Sequence, residues 1–175
     1  MITYRKASSE DADTLAQMHA QSWRHRYRGI LLDAYLEQEV EADRMRVWRE
    51  RLRDPSATQH IVMALEGNTP AGFACAYAQH DPRWGTLLDN LHVLPLWQGK
   101  GVGRALMGEV ARWMKRQARE EGLYLWVYEQ NEGARAFYER VGGTRQEATV
   151  VDNPGGGKGT VWRYVWSTPS TLFLP

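Results

Sequence analysis

The 175-residue sequence predicts an α/β (α+β) domain: one mixed, mostly antiparallel sheet with helices on both faces. Three observations lead there. Two strand-like runs, His60 to Glu66 and Ala71 to Ala78, flank the turn residues Gly67-Asn68-Thr69-Pro70, the pattern of an antiparallel hairpin. A third apolar run, Gly85 to Val93, meets a long amphipathic helix through a glycine-rich join. The fully apolar segment Leu123 to Val127 lies between two helical patterns, as a strand reached by a crossover does. The element order is strand, two helices, three strands, helix, strand, helix, two strands. One domain, 1–166, with a C-terminal tail, 167–175, is the expected organisation.

Each element has a local reason. Ile2 to Arg5 alternates weakly and reads as the first strand, and Ser8 or Ser9 ahead of acidic residues reads as a helix cap. Leu15, Met18, His19, Ser22 and Trp23 fall on one helical face. Asp33 is placed to cap a short helix through Leu36. A charged helix follows, with Val47, Trp48, Arg51 and Leu52 on its inner side, and Asp54-Pro55 ends it. Val102, Leu106, Val110, Trp113 and Met114 share one face of the long helix, expected to run to about Arg119 before Gly122 stops it. Asn131 is placed to cap the next helix, in which Ala134, Phe137, Tyr138 and Val141 form a face. Gln146 to Val151 and Thr160 to Trp166 read as the last strands, joined by a mobile, glycine-rich tip from Asp152 to Gly159. In the tail, Leu172-Phe173-Leu174 reads as exposed and ready to dock on the domain or on a partner.

Composition narrows the function classes. Apolar residues make up 43% and charged residues 25%, ordinary for a globular chain. A net charge of +1 argues against a dedicated nucleic-acid binder. No apolar run approaches the roughly 20 residues of a membrane span, and the N-terminus lacks the apolar core of a signal peptide. The single cysteine, Cys75, sits in an apolar stretch and reads as a buried thiol in a reducing cytoplasm. The five histidines show no metal-ligand spacing, so no metal is expected. Eight tryptophans and an apolar tail suit a homodimer.

The chemistry concentrates at the glycine-rich join. A helix start carries about four N–H groups without intrahelical partners, and its dipole adds roughly half a positive charge. Glycines let the backbone turn sharply and let a ligand approach closely. Gly99, Gly101 and Gly103 thus build a cradle for a phosphate or pyrophosphate, rimmed by Lys100 and Arg104. The dinucleotide fingerprint fails because Arg104 stands where a glycine or alanine is needed. The ATP-type loop fails too, since Gly159 follows Lys158 in place of Ser or Thr.

What remains, Gln98-Gly99-Lys100-Gly101-Val102-Gly103, resembles the Q/R-x-x-G-x-G/A pyrophosphate loop of the GNAT N-acetyltransferase family. A second stretch, Asn131 to Gly142, resembles that family's N-x-x-A-x-x-F-Y-x-x-x-G helix. The two motifs stand in the family's order, and the likeness spans roughly Ile2 to Trp166. One departure is visible: Gly143-Thr144 stands where the family places an aromatic.

The resemblance implies a GNAT fold, acetyl-coenzyme A as co-substrate, and a small-molecule or peptide amine as acceptor. It implies that backbone groups of Leu91 and Val93 pair with the pantetheine arm. It further implies that N–H groups from Gly99 through Val102 and Gly103 to Arg104, with Gln98 and Lys100, hold the pyrophosphate. Asn131 would bond the arm or orient the site, and Tyr138 occupies the general-acid position. An amine attacking a thioester needs an oxyanion donor, for which the Val93 N–H is suited, and an acid for the leaving thiolate. The amine must also lose a proton. Asp89, Glu129 and His92 are candidates; Asp89 acting through water is preferred, and strand alternation puts it on the side of Leu91, opposite His92. Trp23 and Tyr27 are assigned to the acceptor wall, where aromatics suit a cationic or apolar amine. Each of these residues also has a plain structural role open to it: Tyr138 as core, Asn131 as cap, Lys100 and Arg104 as solvated charges. Two other readings keep the scaffold: a non-catalytic acyl-coenzyme A sensor, and an O-acyl or longer-chain acyltransferase.

Overall fold

The computed structural model describes residues 1–117 and 121–173. Seven strands form one sheet in the order β1-β2-β3-β4-β5-β7-β6. They are β1 (Ile2–Lys6), β2 (Gln59–Glu66), β3 (Thr69–Asp81), β4 (Gly85–Val93), β5 (Leu123–Tyr128), β6 (Thr144–Asp152) and β7 (Lys158–Trp166). Among the described residues, β4 and β5 are the one neighbouring pair in this sheet that runs parallel.

Side-chain alternation sorts the sheet into two layers. Val62 and Ala64 of β2 and Ala74 and Ala76 of β3 face the long helix α4 (Val102–Arg116), packing with Leu106, Val110 and Met114. Their neighbours Ile61, Met63, Phe73 and Cys75 face the other way, onto Leu15, Ala16 and Met18 of α1 (Ala12–Arg26) and Trp48 of α3 (Val40–Arg53). The short α2 (Asp33–Gln38) closes a third cluster with Leu31, Tyr35, Leu36 and Val40. The last helix, α5 (Glu132–Arg140), packs against β6 and carries the second motif.

Several expectations change. The short helix from Asp33 is an element of its own, so three helices precede β2 where the element order counted two. Asp33 is the first residue of α2, and Leu32 occupies the cap position. The expected end of the long helix at Arg119 lies outside the described residues. Strand β6 ends one residue later and β7 starts two residues earlier than expected, so the tip between them is only Asn153 to Gly157. That tip is docked rather than loose: Asn153 is buried, its Oδ1 accepts from the Tyr128 hydroxyl at 3.0 Å, and its Nδ2 donates to the Ile30 carbonyl. Nor is Leu172 exposed. It is 4% accessible and packs in the α4 layer, so this part of the tail docks on its own domain; Leu174 lies outside the described residues. The departure at Gly143 is also accounted for. A Cβ there would stand 2.6 Å from Cζ2 of Trp166, so β7 supplies the aromatic ring that fills this place.

Candidate active site

The site begins where the sheet opens. The parallel β4–β5 ladder has two rungs, Thr86↔Leu123 and Leu87↔Tyr124. Beyond them β4 stays with β3 as far as Val93, and β5 stays with β7 as far as Tyr128. The two strands diverge, and their facing backbone edges line a slot. The Leu94 N–H points at β3, bonding Ala71. Backbone direction alternates along a strand, so N–H and C=O of Leu91 and Val93 turn into the slot. The Val93 carbonyl is taken by Nε2 of Gln98 at 2.8 Å, which leaves its N–H facing the opening.

The glycine loop closes one end of the slot. Gly99 and Gly101 have φ of 73° and 80°, the left-handed region that disfavours side chains, and nothing lies within 4 Å of where a Cβ would stand on either. Gly101 is the cap of α4, so the helix opens with its N–H groups facing a clear space. Gly103 has a different task. A Cβ there would lie 3.3 Å from Phe137, so glycine lets α4 seat against α5. Val102 is core, so only its backbone faces a ligand, and Lys100 is exposed. Arg26, from the last turn of α1, donates to Oε1 of Gln98 and ties the helix to this loop.

Tyr138 stands on α5 with its ring 6.0 Å from those of Tyr164 and Trp166 on β7. It is 9% accessible, and burial raises its pKa, so the phenol stays protonated at neutral pH. Asn131 caps α5, its Oδ1 accepting the Ala134 N–H at 3.3 Å, so the structural role open to it is filled by that atom.

The opposite mouth is aromatic. Trp23 and Tyr27 stand with ring centroids 5.5 Å apart, and Tyr27 meets Tyr128 at 5.3 Å. The Tyr27 pKa is raised chiefly by burial, then by the nearby phenols of Tyr138 and Tyr128. Gly155 of the hairpin tip lies over Tyr35, covering this mouth. His92 belongs to this side too: Nδ1 is 2.8 Å from Oγ of Ser22, and its ring is 4.6 Å from that of His19. Burial, then the charge of Arg44, holds the His92 pKa down at about 3, so the ring is neutral.

Asp89 does not sit as simple alternation requires. The β3–β4 register passes from Cys75↔Asn90 to Ala76↔Leu88, so Asp89 is a bulge residue. The extra residue turns it towards α3, where Nη1 of Arg51 bonds Asp89 Oδ2 at 2.8 Å and Asn90 Oδ1 at 2.9 Å. Asp89 therefore shares the face of His92, while Leu91 packs on the α4 side. A bulge leaves no mark on the hydrophobic pattern, which is why counting by two failed.

The model of the Acetyltransferase (GNAT) family matches residues 18–143, most of the chain. This chain belongs to the GNAT acetyltransferase family. Among the relatives of this GNAT chain, the aminoglycoside N(6')-acetyltransferase type 1 of Stenotrophomonas maltophilia is 31% identical over 65% of this chain and 67% of its own. The L-amino acid N-acetyltransferase AaaT of Escherichia coli (strain K12) is 27% identical over 81% of this chain and 82% of its own. In fold, the GNAT chain matches the crystal structure of the PaiA N-acetyltransferase of Thermoplasma acidophilum in complex with coenzyme A. The TM-score is 0.72 at 22% identity, covering 95% of this chain and 99% of the other.

Reading the sequence did not single out Ser22 as the partner of His92, Arg26 as the tie to Gln98, or Arg44 over Trp23. A faint signal existed for the last: Arg44, Trp48 and Arg51 fall at helical spacing, which places two guanidiniums on the inner face of α3.

Proposed function

We propose that this GNAT chain is an acetyl-coenzyme A-dependent N-acetyltransferase that transfers an acetyl group to a primary amine by direct attack, through a tetrahedral intermediate. The observation that carries the reading is the opening of β4 from β5 between a glycine-lined helix start and a protonated, buried Tyr138. The clear space over Gly99 and Gly101 fits a pyrophosphate, which N–H groups from Gly99 to Arg104 would hold. Backbone groups of Leu91 and Val93 would pair with the pantetheine arm, and Asn131 would orient it. The Val93 N–H serves as oxyanion donor. Tyr138 gives its proton to the leaving sulfur.

Asp89, on the acceptor face, is set to take the proton from the amine, whereas His92, with its pKa held down at about 3, is too weak a base for that step. Asp89 has one oxygen on Arg51 and acts through water from its other oxygen. His92 is neutral, and Ser22 takes its Nδ1, which leaves Nε2 for a substrate. A cytoplasmic setting belongs to the same reading, since burial pushes the Cys75 thiol up to about 12 and keeps it inert. So does a single domain over 1–166. So does a homodimer, for which β6 supplies an edge strand exposed along nearly its whole length.

Thiol release from acetyl-coenzyme A across a panel of amines, amino acids and peptides tests the reading. Tyr138→Phe should lower turnover on the order of 100-fold while leaving the KM for acetyl-coenzyme A in place. Turnover unchanged in that variant removes Tyr138 from the mechanism. Tight cofactor binding with no turnover of any acceptor favours the sensor reading instead.

A further inference from the structure

The acceptor mouth contains a half-buried cation that the transfer chemistry does not use. Arg44 of α3 lies with Cζ 4.4 Å from the centroid of the Trp23 ring, and its side chain is only 12% accessible. Its Nη2 donates to Oδ2 of Asp43 at 2.8 Å. Its Nε is buried without a hydrogen-bond partner, a donor that costs free energy until something accepts from it. Ring contacts make the neighbourhood continuous: Trp23 is 4.7 Å from His19, and His19 is 4.6 Å from His92. The charge of Arg44 is felt at both histidines.

The carboxylate in contact with it, Asp43, is already paired, and the acids on β4 and just after β5 each already accept a hydrogen bond. Asp43 accepts from Arg44, from Arg46 at 2.9 Å and from the Tyr35 hydroxyl at 2.5 Å. Asp89 is held by Arg51. Glu129 accepts from the Trp162 indole at 3.0 Å. A polycationic acceptor needs acidic partners, and would here meet paired acids beside a half-buried guanidinium. An acceptor bearing a carboxylate meets the reverse: a planar donor group, desolvated and stacked on an aromatic, the setting in which arginine binds carboxylates well.

We infer that the acceptor of this transferase is a small amine that also carries a carboxylate, such as a free amino acid, and that Arg44 binds the carboxylate. The inference rests on the N-acetyltransferase reading. The carboxylate end anchors at Arg44 beside Trp23, and the amine end lies towards His92 and the Val93 N–H. The neutral state of His92 matters to this arrangement, because a second cation would repel the arriving ammonium.

The experiment compares free L-amino acids, the C-terminal amides of the same amino acids, and spermidine. Thiol release gives kcat/KM for each, and tryptophan fluorescence gives binding, since Trp23 lies against Arg44. The wild-type protein should prefer the carboxylate over its amide on the order of ten-fold or more. Arg44→Gln should bring the two within about two-fold, and Arg44→Lys should recover part of the preference. Both acceptors are read in the same protein, so partial unfolding lowers both rates and spares the ratio. Preference for the amide or spermidine in the wild type overturns the inference, as does an unchanged ratio in Arg44→Gln. If no acceptor is turned over but amino acids still quench fluorescence in an Arg44-dependent way, the catalytic reading fails and the carboxylate site stands. Absence of both turnover and Arg44-dependent quenching overturns both.

Discussion

Replacing Gly155 by alanine should weaken acceptor binding without touching the cofactor side. Gly155 has φ of 77°, and a Cβ there would stand 2.4 Å from Cβ and Cγ of Tyr35. The left-handed backbone costs alanine about 1 kcal/mol. The overlap adds about 1–3 kcal/mol, because Tyr35 is 3% accessible, its hydroxyl is bonded to Asp43, and it cannot swing aside. The chain has a cheaper way out: the tip lifts off. What it then forfeits is the docking of Asn153 through two hydrogen bonds, to Tyr128 and Ile30, worth about 1 kcal/mol each. The loss of global stability is therefore capped at about 2 kcal/mol. At about 2–4 °C per kcal/mol for a chain of this size, the melting temperature should fall by about 4–8 °C. Thermal denaturation checks the stability, and steady-state kinetics check the site. The acceptor KM should rise several-fold while the acetyl-coenzyme A KM stays put. A fall in melting temperature well beyond that range would mean the tip is part of the main cooperative unit. An unchanged acceptor KM would mean that it does not cover the mouth at all.

Two further outcomes follow from named groups. Burial holds the pKa of His92 at about 3, holds His60 at about 4, and keeps His19 well below its ordinary value. The unfolded chain thus takes up protons first, so stability should be fully present above about pH 6.5 and decline as the pH falls below it. Urea melts from pH 8 to 4 should show that slope, and His92→Gln should flatten it; a pH-independent midpoint in the wild type would contradict the burial of these rings. On the cofactor side, Gly101→Ala strains the left-handed cap of α4 by about 1–2 kcal/mol. It should raise the Kd for acetyl-coenzyme A on the order of ten-fold with little effect on acceptor KM, as measured by calorimetry alongside kinetics. A cofactor Kd equal to wild type would show that the loop conformation is not what binds.

The layered sheet was legible because periodicity reports burial directly. Alternation in β2 and β3 separates Ile61 and Met63 from Val62 and Ala64, and the two helix layers take one set each. The glycine loop was legible for a local reason as well: left-handed backbone at Gly99 and Gly101 leaves its trace in residue type. The second motif was legible through its spacing: α5 stands where that spacing puts it, with Asn131 as its cap.

What escaped the sequence was everything fixed by contacts between distant segments. A bulge of one residue turned Asp89 onto the face of His92, and nothing in the apolar pattern registers a single unpaired residue. The hairpin tip is rich in glycine, which reads as freedom, yet three of those glycines adopt positive φ, and one lets the tip pack over Tyr35. Leu172 read as exposed because its partners on α4 lie more than fifty residues earlier. The stacking of Arg44 on Trp23 and the pairing of Ser22 with His92 join residues from different elements. By itself, the sequence determined the fold, the family and the turn of the glycine loop, since backbone conformation and burial are written locally. The aromatic mouth was decided only by tertiary structure. It is made of side chains from α1, α2, α3, β4, β5 and the β6–β7 tip, each an ordinary residue in its own segment, and its charge balance exists only once they are packed together.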